Sequence, residues 1–177
     1  MKYYQVQVSA EPKVIGVSNG VYQLEINNSK LEKNEDFKEF LTFFKSSNRE
    51  FWKNQFKIKD FKVPVIEGKL LKRAKLTDIM GYAEEIPFLY DVYSEKFIST
   101  IEASNLPNHS KFEVAIQDVK EKYYLLFIET IILEDFNFQE SMLRTGYEMT
   151  KNLEEYRVDN FDEYKELRKS CRCGIRQ

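Results

Sequence analysis

Residues 111–133 constrain the fold of this chain more than any other stretch. They read KFEVAIQDVKEKYYLLFIETIIL. Two apolar runs, FEVAIQDV and KYYLLFIETIIL, flank the polar Lys120-Glu121-Lys122. Strand, short polar break, strand is a hairpin signal, and a hairpin commits the sheet to antiparallel pairing. The second run is apolar almost without interruption, so it is expected at the centre of a sheet with both faces covered.

The remaining segments are placed around that hairpin. KYYQVQV (Lys2–Val8) alternates like a strand. VYQLEI (Val21–Ile26) follows the Ser18-Asn19-Gly20 turn signal and is expected to put Val21, Gln23 and Glu25 on one side. Asn34 caps a helix through EDFKEFLTFFKS, whose Phe37, Phe40, Leu41 and Phe44 form one stripe. FWKNQFKIKDFKVPVIEG alternates imperfectly and reads as extended, with Pro64 marking an edge or a break. KLTDIMG is expected to form one helical turn, and PFLYDVY (Pro87–Tyr93) a strand.

Ser94 caps the next helix, which buries Phe97, Ile98 and Ile101 and ends at Asn105-Leu-Pro-Asn-His-Ser. MLRTGYEM and LEEYRV are weaker strands. Asn160 and Glu163 have capping-box spacing before the helix FDEYKELRKS. Strands and helices interleave without a βαβα rhythm. The expectation is one α+β domain over 1–177, a mostly antiparallel sheet with three or four flanking helices. A chain of 177 residues buries roughly 70% of its unfolded surface, enough for a core without staples.

Charge is unevenly spread. Residues 45–75 carry 10 basic and 3 acidic groups, net +7, whereas residues 76–167 carry 8 basic and 20 acidic, net −12. The basic segment interleaves Lys and Arg with Phe51, Trp52, Phe56 and Phe61, a composition that can bind single-stranded nucleic acid. The plainer reading is a lysine-rich strand edge that blocks edge pairing, and the acidic whole opposes nucleic acid. The acidic region either keeps the protein soluble or steers a basic partner. Its adjacent acids Glu84-Glu85, Glu134-Asp135 and Glu154-Glu155 are the candidate partner-binding residues. As catalytic pairs they are weak, because such chemistry needs carboxylates converging in a pocket.

His109, the single histidine, lies beside turn formers and is read as bonding locally, although it could act as a lone general base. Phosphate-loop, zincin and nucleophile-elbow patterns are absent. Cys171 and Cys173, one residue apart, do not make a zinc site and are read as reduced thiols without function. No run is long enough to span a bilayer and MKYYQVQVSAEPKV has no apolar signal core, so the expectation is a cytoplasmic protein. No catalytic residue, metal or cofactor is expected.

The stretch KLTDIMGYAEEIPFLYDVYSEKFISTIEASNLPNHSKFEVAIQDVKEKYYLLFIE, with MKYYQV before it and NFDEYKEL after it, resembles the small α+β immunity proteins of bacterial polymorphic toxin systems. The likeness is strongest from Leu76 to Glu129. It rests on caps, turn formers and core positions. It implies a protein without catalysis that occludes a cognate toxin domain. It carries over no catalytic role for the Pro-Asn-His turn. A nuclease toxin would present a basic cleft that an acidic inhibitor can fill. The alternative is a nucleic-acid-associated module built on segment 45–75.

Overall fold

The computed structural model describes residues 6–27, 31–146 and 151–170, with only the backbone of Glu84 and Glu85. The expected strand over 2–8 lies partly outside them, and Val6–Val8 has no regular structure. Cys171 and Cys173 also lie outside the described residues. The chain divides into two compact units, Met1–Thr130 and Ile131–Gln177.

The first unit holds α1 (Pro12–Ile15), β1 (Tyr22–Ile26), α2 (Glu35–Phe43), α3 (Phe51–Asn54), β2 (Ile66–Leu70), β3 (Ile79–Ile86), β4 (Leu89–Ser94), α4 (Glu95–Glu102), β5 (His109–Ile116) and β6 (Tyr123–Ile128). A 3₁₀ segment, Gln55–Asp60, continues α3. The class is α+β, as expected, but the sheet closes on itself. Its six strands run β1-β2-β5-β6-β4-β3 and back to β1 as a barrel. Four pairs are antiparallel, while β1–β3 and β2–β5 are parallel. Closure abolishes sheet edges.

Alternation along the strands fills the barrel. Phe112, Val114 and Ile116 of β5 and Tyr123, Leu125 and Phe127 of β6 are buried in one core cluster. The cluster also takes Phe37, Phe40 and Phe44, so α2 is not merely flanking. The Phe40 ring meets Phe112 edge-on at 4.8 Å, and Phe44 meets Phe127 at 5.8 Å. Asn34 caps α2 by accepting from the Phe37 N–H at 3.1 Å. On the outer side, α4 lies against β4, the Tyr93 and Phe97 rings stack, and Leu126 is buried although it points away from the interior. The second run of the hairpin is therefore buried on its inner face but only partly covered outside, where Leu126 is buried, Tyr124 half-buried and Ile128 exposed, and its strand ends at Ile128 rather than Leu133.

Three local expectations fail. Residues 51–60 are helical, not extended, because Phe51, Gln55 and Ile58 recur at spacings of four and three and are the residues buried. The lysine-rich strand edge therefore does not exist there. KLTDIMG is not a helical turn: Ile79-Met80-Gly81 open β3, with Met80 and Tyr82 buried at strand spacing. Gln23 is buried rather than grouped with exposed Glu25, because β1 shifts register between Tyr22 and Leu24. Its amide donates to the Lys75 carbonyl at 2.6 Å and to Thr77 Oγ1 at 3.1 Å.

The second unit holds a 3₁₀ turn (Leu133–Asp135), β7 (Leu143–Thr145) paired antiparallel with β8 (Glu154–Tyr156), and α5 (Phe161–Ser170). Phe138, Leu143, Val158 and Tyr164 form its own core. Asn160 Oδ1 accepts from the Asp162 and Glu163 amides, as expected of the cap, but the return bond of Glu163 goes to the Asp159 N–H, one residue before the cap, and to the Asn160 side-chain amide instead of the Asn160 N–H.

Candidate functional site

The outer face of β4, β6 and β5 carries a row of polar aromatics and acids that the barrel sets in register. Tyr93 of β4 lies opposite Tyr124 of β6, and Tyr124 lies opposite Glu113 of β5. Side chains directly opposite on one face are within contact range. The Tyr124 hydroxyl donates to Glu95 at 3.4 Å, and Lys111 Nζ lies 5.8 Å from the Tyr124 ring centroid. The Tyr93 hydroxyl is 3.5 Å from Asp91.

Burial and neighbouring acids hold the tyrosines of this region above their ordinary value. The Tyr93 phenol is pushed up to about 12 by burial, by the Asp91 charge and by its hydrogen bond to Asp91. Tyr124 is raised by burial and then by Glu95, Glu113 and Glu102. The inward Tyr123 is raised by burial and then by Asp78 and Glu121. Six acids scattered through residues 78–121 thus act on three neighbouring rings. None belongs to an adjacent acidic pair, the signal that sequence reasoning used. Strand register is what gathers them.

The β3–β4 hairpin ends in an irregular tip. Between the pairs Gly81↔Asp91 and Ile86↔Leu89, β3 spends three more residues than β4. The surplus forms a bulge that contains Glu84 and Glu85. Fully buried Tyr82 repairs the broken ladder: its hydroxyl donates to the Leu89 carbonyl at 2.5 Å and accepts from the Ile86 N–H at 2.8 Å. A Cβ on Gly81 would stand 2.7 Å from the Val21 carbonyl oxygen, so only glycine lets β1 approach here. Pro87 and Phe88 form the turn rather than strand, and Phe88 takes φ +68. Such a conformation is costly for a bulky residue. It holds the Phe88 ring stacked on Phe51 at 4.3 Å and edge-on to Trp52 at 5.0 Å. Trp52 is 43% exposed and Tyr90 58%.

The six acids named from the sequence do not form one described cluster. Glu84 and Glu85 belong to the first unit, and their side chains lie outside the described residues. The other four belong to the second. Glu134 and Asp135 are exposed on the 3₁₀ turn, whereas Glu154 and Glu155 are exposed on β8. Glu155 pairs across the strands with Arg144 at 2.9 Å, and Glu154 accepts from the Tyr156 hydroxyl.

His109 opens β5 instead of lying in the turn. Its Nδ1 is 2.9 Å from the Pro107 carbonyl oxygen, and its Nε2 is 3.0 Å from Glu102 Oε1. Lys111 donates to the same oxygen at 2.8 Å. These hydrogen bonds, from Lys111 first and His109 second, hold the Glu102 carboxyl below its ordinary value. The arrangement fastens the last residue of α4 to β5, and every contact is local. Among the described residues no group of three or more His, Cys, Asp or Glu side chains could hold a metal ion, and no helix is long and apolar enough to cross a membrane.

The basic segment turns two rings outward. Trp52 and Phe56, the latter 51% exposed, lie on the solvent side with Lys53, Lys57 and Lys59. Buried Gln55 fixes this orientation: its amide donates to the Thr130 carbonyl at 2.6 Å and accepts from the Thr130 N–H at 2.9 Å.

No family model matches the chain, and neither a curated protein nor a solved structure is similar to it.

Proposed function

We propose that this chain is an immunity protein that binds a cognate bacterial toxin domain and neutralises it by occlusion, without catalysis. The observation that carries the reading is the register row Tyr93–Tyr124–Glu113 with Glu95 and Asp91 beside it. Tyrosines are enriched at binding hot spots because they offer large, stiff contact area with a polar end. Carboxylates around them steer a basic partner and raise its association rate. A nuclease toxin suits this surface, because carboxylates can occupy the positions of phosphates. Glu84, Glu85, Glu134, Asp135, Glu154 and Glu155 are proposed as additional acids that contribute to the long-range field. The protein acts in the cytoplasm of its bacterial host, where the toxin would otherwise work.

The test is a pull-down of the tagged protein from that host with mass spectrometry, followed by association kinetics with the captured toxin domain. Glu95→Lys and Glu113→Lys should slow association about tenfold at low salt and flatten its salt dependence. Reversal of Glu134/Asp135 or Glu154/Glu155 should have a smaller effect of the same sign. Unchanged kinetics across all these variants, or no toxin domain in stoichiometric amount, would sink the proposal.

A second reading is favoured by the outward Trp52 and Phe56 beside Lys57 and Lys59. Stacking rings among cations suit single-stranded nucleic acid. Oligothymidylate should then quench the Trp52 fluorescence in a salt-sensitive manner, with binding lost in Trp52→Ala.

A further inference from the structure

The turn Ser18-Asn19-Gly20 leads into β1, and neither the barrel core nor the proposed toxin contact uses it. All three residues are exposed. The chain bends through them after α1 and joins the ladder only at Tyr22, opposite Gly81. Asn19 and Gly20 make no hydrogen bond among the described residues, through backbone or side chain. A Cβ built on Gly20 would meet nothing within 4 Å, and its φ is +94. Asn19 is also the only asparagine in the chain that is followed by glycine. Elsewhere the side-chain amide is often held, as in Asn34, which accepts from the Phe37 N–H at 3.1 Å, and Asn48, which donates to the Phe43 carbonyl at 2.8 Å. Asn105 is the informative comparison. It is exposed and makes no hydrogen bond among the described residues, but Leu106 follows it.

We infer that Asn19-Gly20 is a site of spontaneous covalent modification, where the folded chain converts its own asparagine into isoaspartate and aspartate. The Gly20 backbone nitrogen attacks Asn19 Cγ and gives up its proton. The bond from Cγ to Nδ2 breaks, ammonia leaves, and a five-membered succinimide closes. Water then opens the ring. Attack at the backbone carbonyl carbon leaves the chain running through Cγ, which is isoaspartate. Attack at Cγ restores the ordinary link, which is aspartate. Nothing is oxidised or reduced, and water is the one co-reactant. Three features select this pair. The Gly20 N–H is unpaired, so no hydrogen bond must break before it reacts. Glycine has no Cβ to shield the attacking nitrogen. Ring closure rotates the chain between the two residues, and an exposed turn outside the ladder allows this at little cost.

The test is incubation of the full chain in warm, mildly alkaline buffer, followed by anion exchange and by peptide mapping with mass spectrometry. The peptide that holds Asn19 should gain the small mass of an amide turned into an acid. The modified chain carries one negative charge beyond the net −2 and should elute as a second, later peak. Asn19 should convert at least about tenfold faster than Asn105, and within about tenfold of its own rate in the urea-unfolded chain. Asn19→Gln, whose side chain must close a larger ring, should lose the second peak and keep the circular dichroism spectrum of the parent. Asn19 intact while Asn105 converts, protection beyond tenfold in the folded chain, or an equal second peak in Asn19→Gln would each overturn the inference. The readout needs no toxin, so its failure leaves the proposed function standing, and the converse holds.

Discussion

Tyr82→Phe isolates the one hydroxyl that bridges the β3–β4 bulge. The ring is fully buried and stays in place, so no large cavity forms. What is lost is the donation to Leu89 O and the acceptance from Ile86 N. Each bond is worth about 1 kcal/mol net, and leaving a buried partner unsatisfied costs about 1–3 kcal/mol. The two bonds at about 1 kcal/mol each, with part of the penalty for the two backbone groups left unpaired, give an expected loss of about 2–3 kcal/mol. With an m-value of about 2 kcal/mol/M, the urea midpoint should fall by about 1 M. Trp52 is the single tryptophan and touches Phe88 in the same hairpin, so its fluorescence reports the unfolding of this unit directly. Tyr90→Phe is the control: its ring is exposed, and the midpoint should move by less than about 0.25 M. If Tyr82→Phe shifts the midpoint no more than Tyr90→Phe does, at an unchanged m-value, the hydroxyl is not what closes the bulge.

Gln55→Ala removes both bonds to Thr130 and should cost about 2 kcal/mol by the same urea titration, with the outward orientation of Trp52 loosened and its emission red-shifted. Gly16→Ala should destabilise by at least about 1 kcal/mol, because φ is +82 and the new Cβ would stand 2.1 Å from the Arg73 carbonyl oxygen; a thermal melt within 1 °C of the parent refutes this. Tyr93 should ionise at about 12 in an absorbance titration at 295 nm, seen as the difference between the parent and Tyr93→Phe. Its folded-state value lies above the unfolded 10.0. Its contribution to stability is therefore complete below pH 10 and is lost as the pH rises toward 12, so the parent should lose more stability across that window than the variant.

What was legible in the sequence is what local geometry decides. Asn34, Ser94 and Asn160 each cap the helix that follows, because a cap needs only its own side chain and the amides two or three residues on. The β5–β6 hairpin was legible for the same reason. Closure of the barrel was not, since it depends on pairings such as Leu24↔Tyr82 and Ile66↔Val114, whose partners lie tens of residues apart. Residues 51–60 were misread because Phe51, Phe56, Ile58 and Phe61 fit neither period cleanly. The structure chooses the helical one by burying Gln55, a polar residue that hydropathy counts against burial, and satisfying it at Thr130.

The same contrast governs the candidate site. Adjacent acids stand out in a sequence, yet neighbours on a strand point to opposite faces, so Glu154 and Glu155 cannot both face one partner from one strand. Acids that do share a face come from different elements: Glu113 from β5, Glu95 from α4, Asp91 from β4. Asp91 acts on Tyr93, and Glu95 and Glu113 act on Tyr124, and the two rings stand in one row only after the barrel has set β4, β6 and β5 side by side. Charge reversal at Glu113 should therefore lower the Tyr124 ionisation pH as well as slow toxin association, whereas reversal at Glu25, on β1 across the barrel, should leave Tyr124 where it is. Tyr124 titrating alike in both variants would mean that Glu113 does not act on this ring, and the proposed binding surface would lose its physical basis.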